Sequence, residues 1–137
     1  MGTRVARSLG VVLVLASLAT ACGKSESEGG TTTIAGQKAN DHGTKDVSGE
    51  SSVELEQDNF YFEPTIMKGS PGQELTIELS NEGSALHNFS IPDQSIDQDV
   101  QPDTKGEATV TLPDSGTLVF FCKYHQSRGM VGALEVS

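Results

Sequence analysis

From Ser51 onward, apolar and polar residues alternate in short runs separated by turn signals, the period-2 texture of half-buried strands. Val53 and Leu55 alternate with Glu54 and Glu56, and Phe60 and Phe62 follow, closed by Pro64. Leu75, Ile77 and Leu79 alternate with Thr76 and Glu78, Phe89 and Ile91 with Asn88 and Ser90, and Ala108, Val110 and Leu112 with Thr109 and Thr111. Leu118 to Cys122 is apolar on both faces, which predicts a central strand, and Val131 to Val136 supplies a last one. Ser70-Pro71-Gly72, Asn81-Glu82-Gly83-Ser84 and Pro113-Asp114-Ser115-Gly116 read as turns, and the polar stretch from Pro92 to Gly106 as a long loop. Residues 51–137 are therefore expected to form an all-β sandwich or barrel.

Parity then says which side chains point inward. His87 shares parity with Phe89 and Ile91, and Cys122 with Leu118 and Phe120. Both are expected to face the core at the ends of strands, where they could meet at one end of a sandwich.

The first fifty residues have a different texture. Arg4 and Arg7 precede a nearly unbroken apolar run from Leu9 to Ala21. The run is too short for the roughly 20 residues that span a bilayer, so it reads as a signal-peptide core. Leu18-Ala19-Thr20-Ala21-Cys22 resembles a bacterial lipobox, with Ala19 where Leu is usual. Residues 1–21 are thus expected to be a lipoprotein signal peptide and Cys22 the lipidated residue. The alternative is a secreted protein cut after Ala19-Thr20-Ala21. Residues 22–50 are rich in Gly, Ser, Thr and charge, with Ile34 and Val47 as the only large apolar side chains. They are expected to be a flexible linker, with His42 solvated inside it.

Composition narrows the function. The 137 residues carry 9 Lys+Arg against 19 Asp+Glu, a formal charge of −10. Nucleic-acid binding, which needs a basic footprint, is excluded; basic or mixed-charge protein partners are favoured. Removal of a signal peptide would take Arg4 and Arg7 and leave the exported part more acidic still. Only two cysteines are present, Cys22 and Cys122, in such different settings that they read as separate jobs rather than as a disulfide. The expected location is the extracytoplasmic face of a cell membrane, held by lipid.

The chemistry concentrates near the C-terminus. Cys122-Lys123-Tyr124-His125-Gln126-Ser127-Arg128-Gly129-Met130 spells C-x2-H-x4-M, to which His87 adds a second imidazole from another strand. One thiolate, two imidazoles and one thioether form the His2Cys trigonal set with a weak axial Met used for electron-transferring copper. Thiolate and thioether suit Cu(I), and imidazole suits both oxidation states. Four protein ligands leave no evident position for a substrate, which favours a carrier over an enzyme. Three rivals stand beside this reading. Copper delivery or storage is the first, though delivery sites tend to be open. A Cys122–His125 nucleophile–base pair is the second, though it needs an exposed thiolate. Zinc is the third, for which Met is a poor ligand. Asn88-Phe89-Ser90 also spells a glycosylation sequon, taken as coincidence in a bacterial-type lipoprotein.

His87-Asn88 followed by the run from Cys122 to Val136 resembles plastocyanin and its relatives in the cupredoxin, or type 1 copper, family. The similarity covers about Val53 to Val136 and is sharpest in the last strand, loop and strand. It implies a Greek-key β-sandwich with one mononuclear copper near one end. His87, Cys122 and His125 would be the strong ligands and Met130 the axial one. Asn88 would tether the Cys122 loop by hydrogen bonds. Leu86 and Tyr124 stand where plastocyanins usually carry Pro, and a photosynthetic role does not follow. The redox partners are not legible, and nothing in the sequence demands more than a monomer.

Overall fold

The computed structural model describes residues Gly29 to Ser137. The expected signal peptide, Cys22 and the start of the expected linker lie outside the described residues. Among the described residues, twelve strands make two six-stranded sheets. They are β1 (Gly30–Ile34), β2 (Gln37–Asp41), β3 (Thr44–Asp46), β4 (Ser52–Asp58), β5 (Tyr61–Glu63), β6 (Ile66–Lys68), β7 (Glu74–Asn81), β8 (His87–Ile91), β9 (Ile96–Val100), β10 (Lys105–Thr111), β11 (Gly116–Phe121) and β12 (Val131–Val136). One sheet has the order β1-β2-β5-β4-β7-β10 and the other β3-β6-β12-β11-β8-β9. β4 runs parallel to β7, and β6 parallel to β12, because the chain crosses between sheets rather than meandering within one. The result is the expected Greek-key sandwich.

The alternation read from the sequence faces the expected way. Val53 and Leu55 of β4, Leu75, Ile77 and Leu79 of β7, Phe89 and Ile91 of β8, and Phe120 of β11 fill the space between the sheets. Phe62 stands edge-on to both Phe89 and Phe120, with ring centroids 6.4 and 5.0 Å away, an arrangement that suits the aromatic quadrupole. Met67, on β6, is fully buried in the same core.

Two expectations fail. Residues 30–50 are not a linker: they form β1, β2 and β3, and Val47 is fully buried in the main core. The folded domain therefore includes residues 30–50 rather than starting at Ser51. The reason lies in the central strand. β11 is apolar on both faces, and only one can meet the sandwich core. Val119 and Phe121 point outward with Val131 and Ala133, and Ile34 and Ala39 of the β1–β2 hairpin close over them as a second core. A polar hairpin with one buried apolar residue on each strand is enough when a neighbouring apolar face needs cover. His42 is accordingly not solvated. It stacks on Tyr61 with centroids 3.4 Å apart, and its side chain is 16% exposed.

The second failure is the loop expected from Pro92 to Gly106. A short 3-10 turn at Pro92–Gln94 leads into β9, which pairs antiparallel with β8. Its sequence, Ile96-Asp97-Gln98-Asp99-Val100, alternates as a strand should, with Val100 buried and both acids outward.

Candidate metal centre

Three elements deliver the site residues to one end of the sandwich. His87 opens β8 and Cys122 directly follows β11, the strand beside it. The chain then bends through a 3-10 turn at Gln126–Arg128 and returns as β12. Cys122 N donates to Met130 O (3.1 Å) and His125 N to Cys122 O (3.0 Å), so the loop is closed by its own backbone. Gly129 ends the turn at φ +89°, a conformation that favours glycine.

The ligand atoms of His87, Cys122 and His125 all lie within 4.8 Å of one another. Cys122 Sγ is 3.5 Å from His125 Nδ1. His87 and Cys122 are fully buried, and His125 is partly so. Met130 is fully buried at the end of the same loop. The parity reading of His87 and Cys122 is thus correct, and the strands bring them together as expected.

The electrostatics match a metal site. His87 is fully buried, yet neither ring nitrogen has a hydrogen-bond partner. Burial, and then the nearby His125, push its pKa down to about 4, against a smaller opposing pull from Asp58. His87 is therefore neutral at pH 7 with a free lone pair, the form that binds metal. His125 is also lowered, by burial and then by Arg128. Burial pushes the Cys122 thiol up, while the backbone N–H groups of Tyr124, Asn88 and His125 pull it down. Those N–H groups would stabilise a thiolate once a cation compensates burial. One soft sulfur and two neutral imidazoles brought together, with both buried His87 nitrogens unsatisfied, fit one type 1 copper ion.

Asn88 ties the centre to its surroundings. Its side-chain oxygen accepts from Lys123 N at 3.4 Å and also from the Ser90 hydroxyl. Its Nδ2 donates to Asp97 Oδ1 and Asp99 Oδ1 at 2.7 and 2.8 Å. The same two acids hold the front of the ligand loop. Lys123 Nζ lies 2.7 Å from Asp97 and 3.3 Å from Asp99, and the Tyr124 hydroxyl donates to Asp99 at 2.8 Å. Hydrogen bonds from Lys123 and Asn88 lower Asp97, those from Asn88 and Tyr124 lower Asp99, and the acids raise Lys123 in return. Sequence reasoning missed Asp97 and Asp99 because their strand was read as loop. The alternation Ile96-x-x-x-Val100 around two acids was the available signal.

Phe60 shields the imidazoles. Its ring lies 4.6 Å from that of His125 and 6.3 Å, edge-on, from that of His87. The Arg128 guanidinium lies over the Phe60 ring, 3.7 Å from its centroid. Tyr124, beside His125, is the one large hydrophobic side chain that is exposed among the described residues.

A family model described as a cupredoxin-like domain matches residues 11–133. No curated protein matches the chain. Among solved structures it is similar to auracyanin A, described as a blue copper protein of the green thermophilic photosynthetic bacterium Chloroflexus aurantiacus, with 20% identity over 63% of this chain and 98% of that one and a TM-score of 0.52. A chain of a heme-copper terminal oxidase dimer is similar at 19% identity over 65% and 66% of the two chains, with a TM-score of 0.55. The metal-binding domain of the Cu(I)-exporting P-type ATPase CopA of Streptococcus pneumoniae, solved with Cu(I), is similar at 12% identity over 67% and 95%, with a TM-score of 0.53. At these identities the likeness is one of fold.

Proposed function

This chain belongs to the cupredoxin-like domain family, and on that premise we propose that it is a type 1 blue-copper protein that carries single electrons between extracytoplasmic redox partners. The observation that carries the reading is the buried convergence of His87, Cys122 and His125 within 4.8 Å. Met130, buried at the end of the same loop, would add its thioether to the set. Bound there, copper supplies a one-electron couple, Cu(II)/Cu(I). The protein's own residues do the rest. The N–H groups converging on Cys122 stabilise its thiolate, Asn88 holds the loop, and Phe60 under Arg128 keeps water from the imidazoles. A site that is already shaped and dry needs little rearrangement when charge changes, which favours electron transfer over catalysis. Partly exposed His125 beside exposed Tyr124 is the proposed path to a partner. The Cys22 sequence supports a lipid anchor that would hold the carrier near membrane-bound donors and acceptors.

Copper delivery is the second reading, favoured by the similarity to a Cu(I)-bearing domain of an exporting ATPase. Full burial of Cys122 speaks against it, since handing over the ion needs an open sulfur.

The test is the visible spectrum of the protein titrated with Cu(II), beside Cys122→Ser. An intense blue band that vanishes in the variant and bleaches reversibly with mild reductant is the expected outcome. A colourless protein that binds only Cu(I) would favour delivery, and one that binds neither ion would sink both readings.

A further inference from the structure

The loop from Cys122 to Met130 carries three of the four proposed ligands, and its two halves are held by different parts of the fold. Asp97 and Asp99 of β9 grip the front, at Lys123 and Tyr124. The back half, just before Met130, is held from outside the sandwich core by the N-terminal hairpin, with Asn40 making most of the bonds. Asn40 N donates to Gly129 O at 2.9 Å. Its side-chain Nδ2 spends both protons on backbone carbonyls, those of Arg128 and Phe60, each at 2.9 Å. Behind the residue, the Thr65 hydroxyl lies 3.1 Å from Asn40 O and 2.9 Å from Phe62 O, with one proton between the two carbonyls. Gly129 packs against the amide so closely that a Cβ there would lie 3.0 Å from Asn40 Cγ, Nδ2 and Oδ1 alike. A second tie, Gln126 Nε2 to Gln37 Oε1 at 2.7 Å, joins the same hairpin to the same loop.

We propose that Asn40 is a positioning residue for the metal centre, welding the β1–β2 hairpin to the ligand loop and to the Phe60 corner. Its two side-chain bonds end on the residues whose side chains stack together over His125: Phe60 packs on the imidazole, and Arg128 caps Phe60. One amide therefore fixes both the approach of Met130 and the cover over His125. No other side chain of equal length supplies two parallel N–H donors with no added charge. The hairpin is thereby part of the metal site, and its second function is to keep the loop from relaxing when the charge at the site changes.

The functional consequence rests on the copper reading above, but the weld itself does not, and the test separates them. Asn40→Ala and the volume-keeping Asn40→Leu are compared with wild type and with Lys38→Ala, an exposed change in the same hairpin. In the metal-free proteins, amide exchange at Gly129 and Met130 is expected to quicken by roughly tenfold in both Asn40 variants, as two lost hydrogen bonds imply. Exchange in β4 and β7 should stay unchanged, which shows that the fold is intact. In the copper-loaded proteins, the ratio of the visible bands and the reduction potential are expected to shift in the Asn40 variants and not in Lys38→Ala. Unchanged loop exchange together with an unchanged spectrum would overturn the proposal. If wild type takes no copper, the copper reading fails while the exchange result still decides the weld. If Asn40→Ala fails to fold, Asn40→Leu decides it.

Discussion

Gln57 shares the condition of His87: it is fully buried, and both atoms of its side-chain amide are without hydrogen-bond partners. It ends the inward row Val53, Leu55, Gln57 on β4. On the copper reading His87 has a reason to be unsatisfied, since a metal ligand must keep its lone pair free. Gln57 has no such reason on its own strand, and an unpaired buried amide costs about 1–3 kcal/mol. Gln57→Leu, nearly equal in volume, is therefore expected to raise the stability of the metal-free protein by about 1–3 kcal/mol, read as a higher urea midpoint. A lower midpoint would mean that the amide is satisfied after all. His87 makes a prediction of opposite character. Unfolded, it takes a proton near 6.5; folded, only near 4. A group whose pKa is depressed by folding stabilises the fold above its unfolded value, and that stability is lost as pH falls toward the folded one. The metal-free protein should weaken between about pH 6.5 and pH 4. The exposed carboxylates Asp97 and Asp99, held below the usual carboxylate value of 3.8, add their loss only at lower pH. Urea midpoints at pH 7, 5.5 and 4 check this, and a midpoint flat down to pH 4.5 would contradict a neutral buried His87.

The hairpin and β9 show what was legible in the sequence and what was not. Strands with several inward apolar residues could be read directly, because each repeats the period often enough to stand out. From them followed the sandwich, the inward His87 and the inward Cys122. β1 and β2 carry one buried apolar residue each, Ile34 and Ala39, so their period never repeats. Their signal was of another kind. Thr31-Thr32-Thr33-Ile34 is a β-branched run, and Ala35-Gly36 is a two-residue turn with both φ values positive, at 47° and 78°, as a type I′ hairpin requires. A further hint was β11, whose second apolar face had no stated cover. Because that cover is the hairpin, a fragment starting at Ser51 should be defective. It would expose Val119, Phe121, Val131 and Ala133 and lose Ile34 and Val47, each worth about 1.5–3 kcal/mol on burial. It is expected to bind a hydrophobic dye and to melt well below the chain that starts at Gly29. Equal melting temperatures would restore the linker reading for 30–50.

At the scale of the whole molecule, charge and metal end have to be weighed together. The formal charge of −10 is spread over a surface whose carboxylates on β9 are already engaged by Lys123, Asn88 and Tyr124. The cations nearest the centre are therefore spoken for, Lys123 by two acids and Arg128 by the Phe60 ring. What a partner meets at a distance is the net negative field. Such a field steers encounter rather than holding the complex, so it acts on the association rate. Its reach shrinks from about 30 Å at 0.01 M salt to about 10 Å at 0.1 M. Electron transfer from the reduced protein to a cationic acceptor should thus slow steeply as salt rises over that range, while transfer to an anionic acceptor of similar potential should quicken. Stopped-flow mixing with a matched pair of small metal complexes measures both rates. Opposite salt slopes would place the acidic surface in the choice of partner. Two flat lines would mean that partner choice is made by contact at Tyr124 and His125 alone.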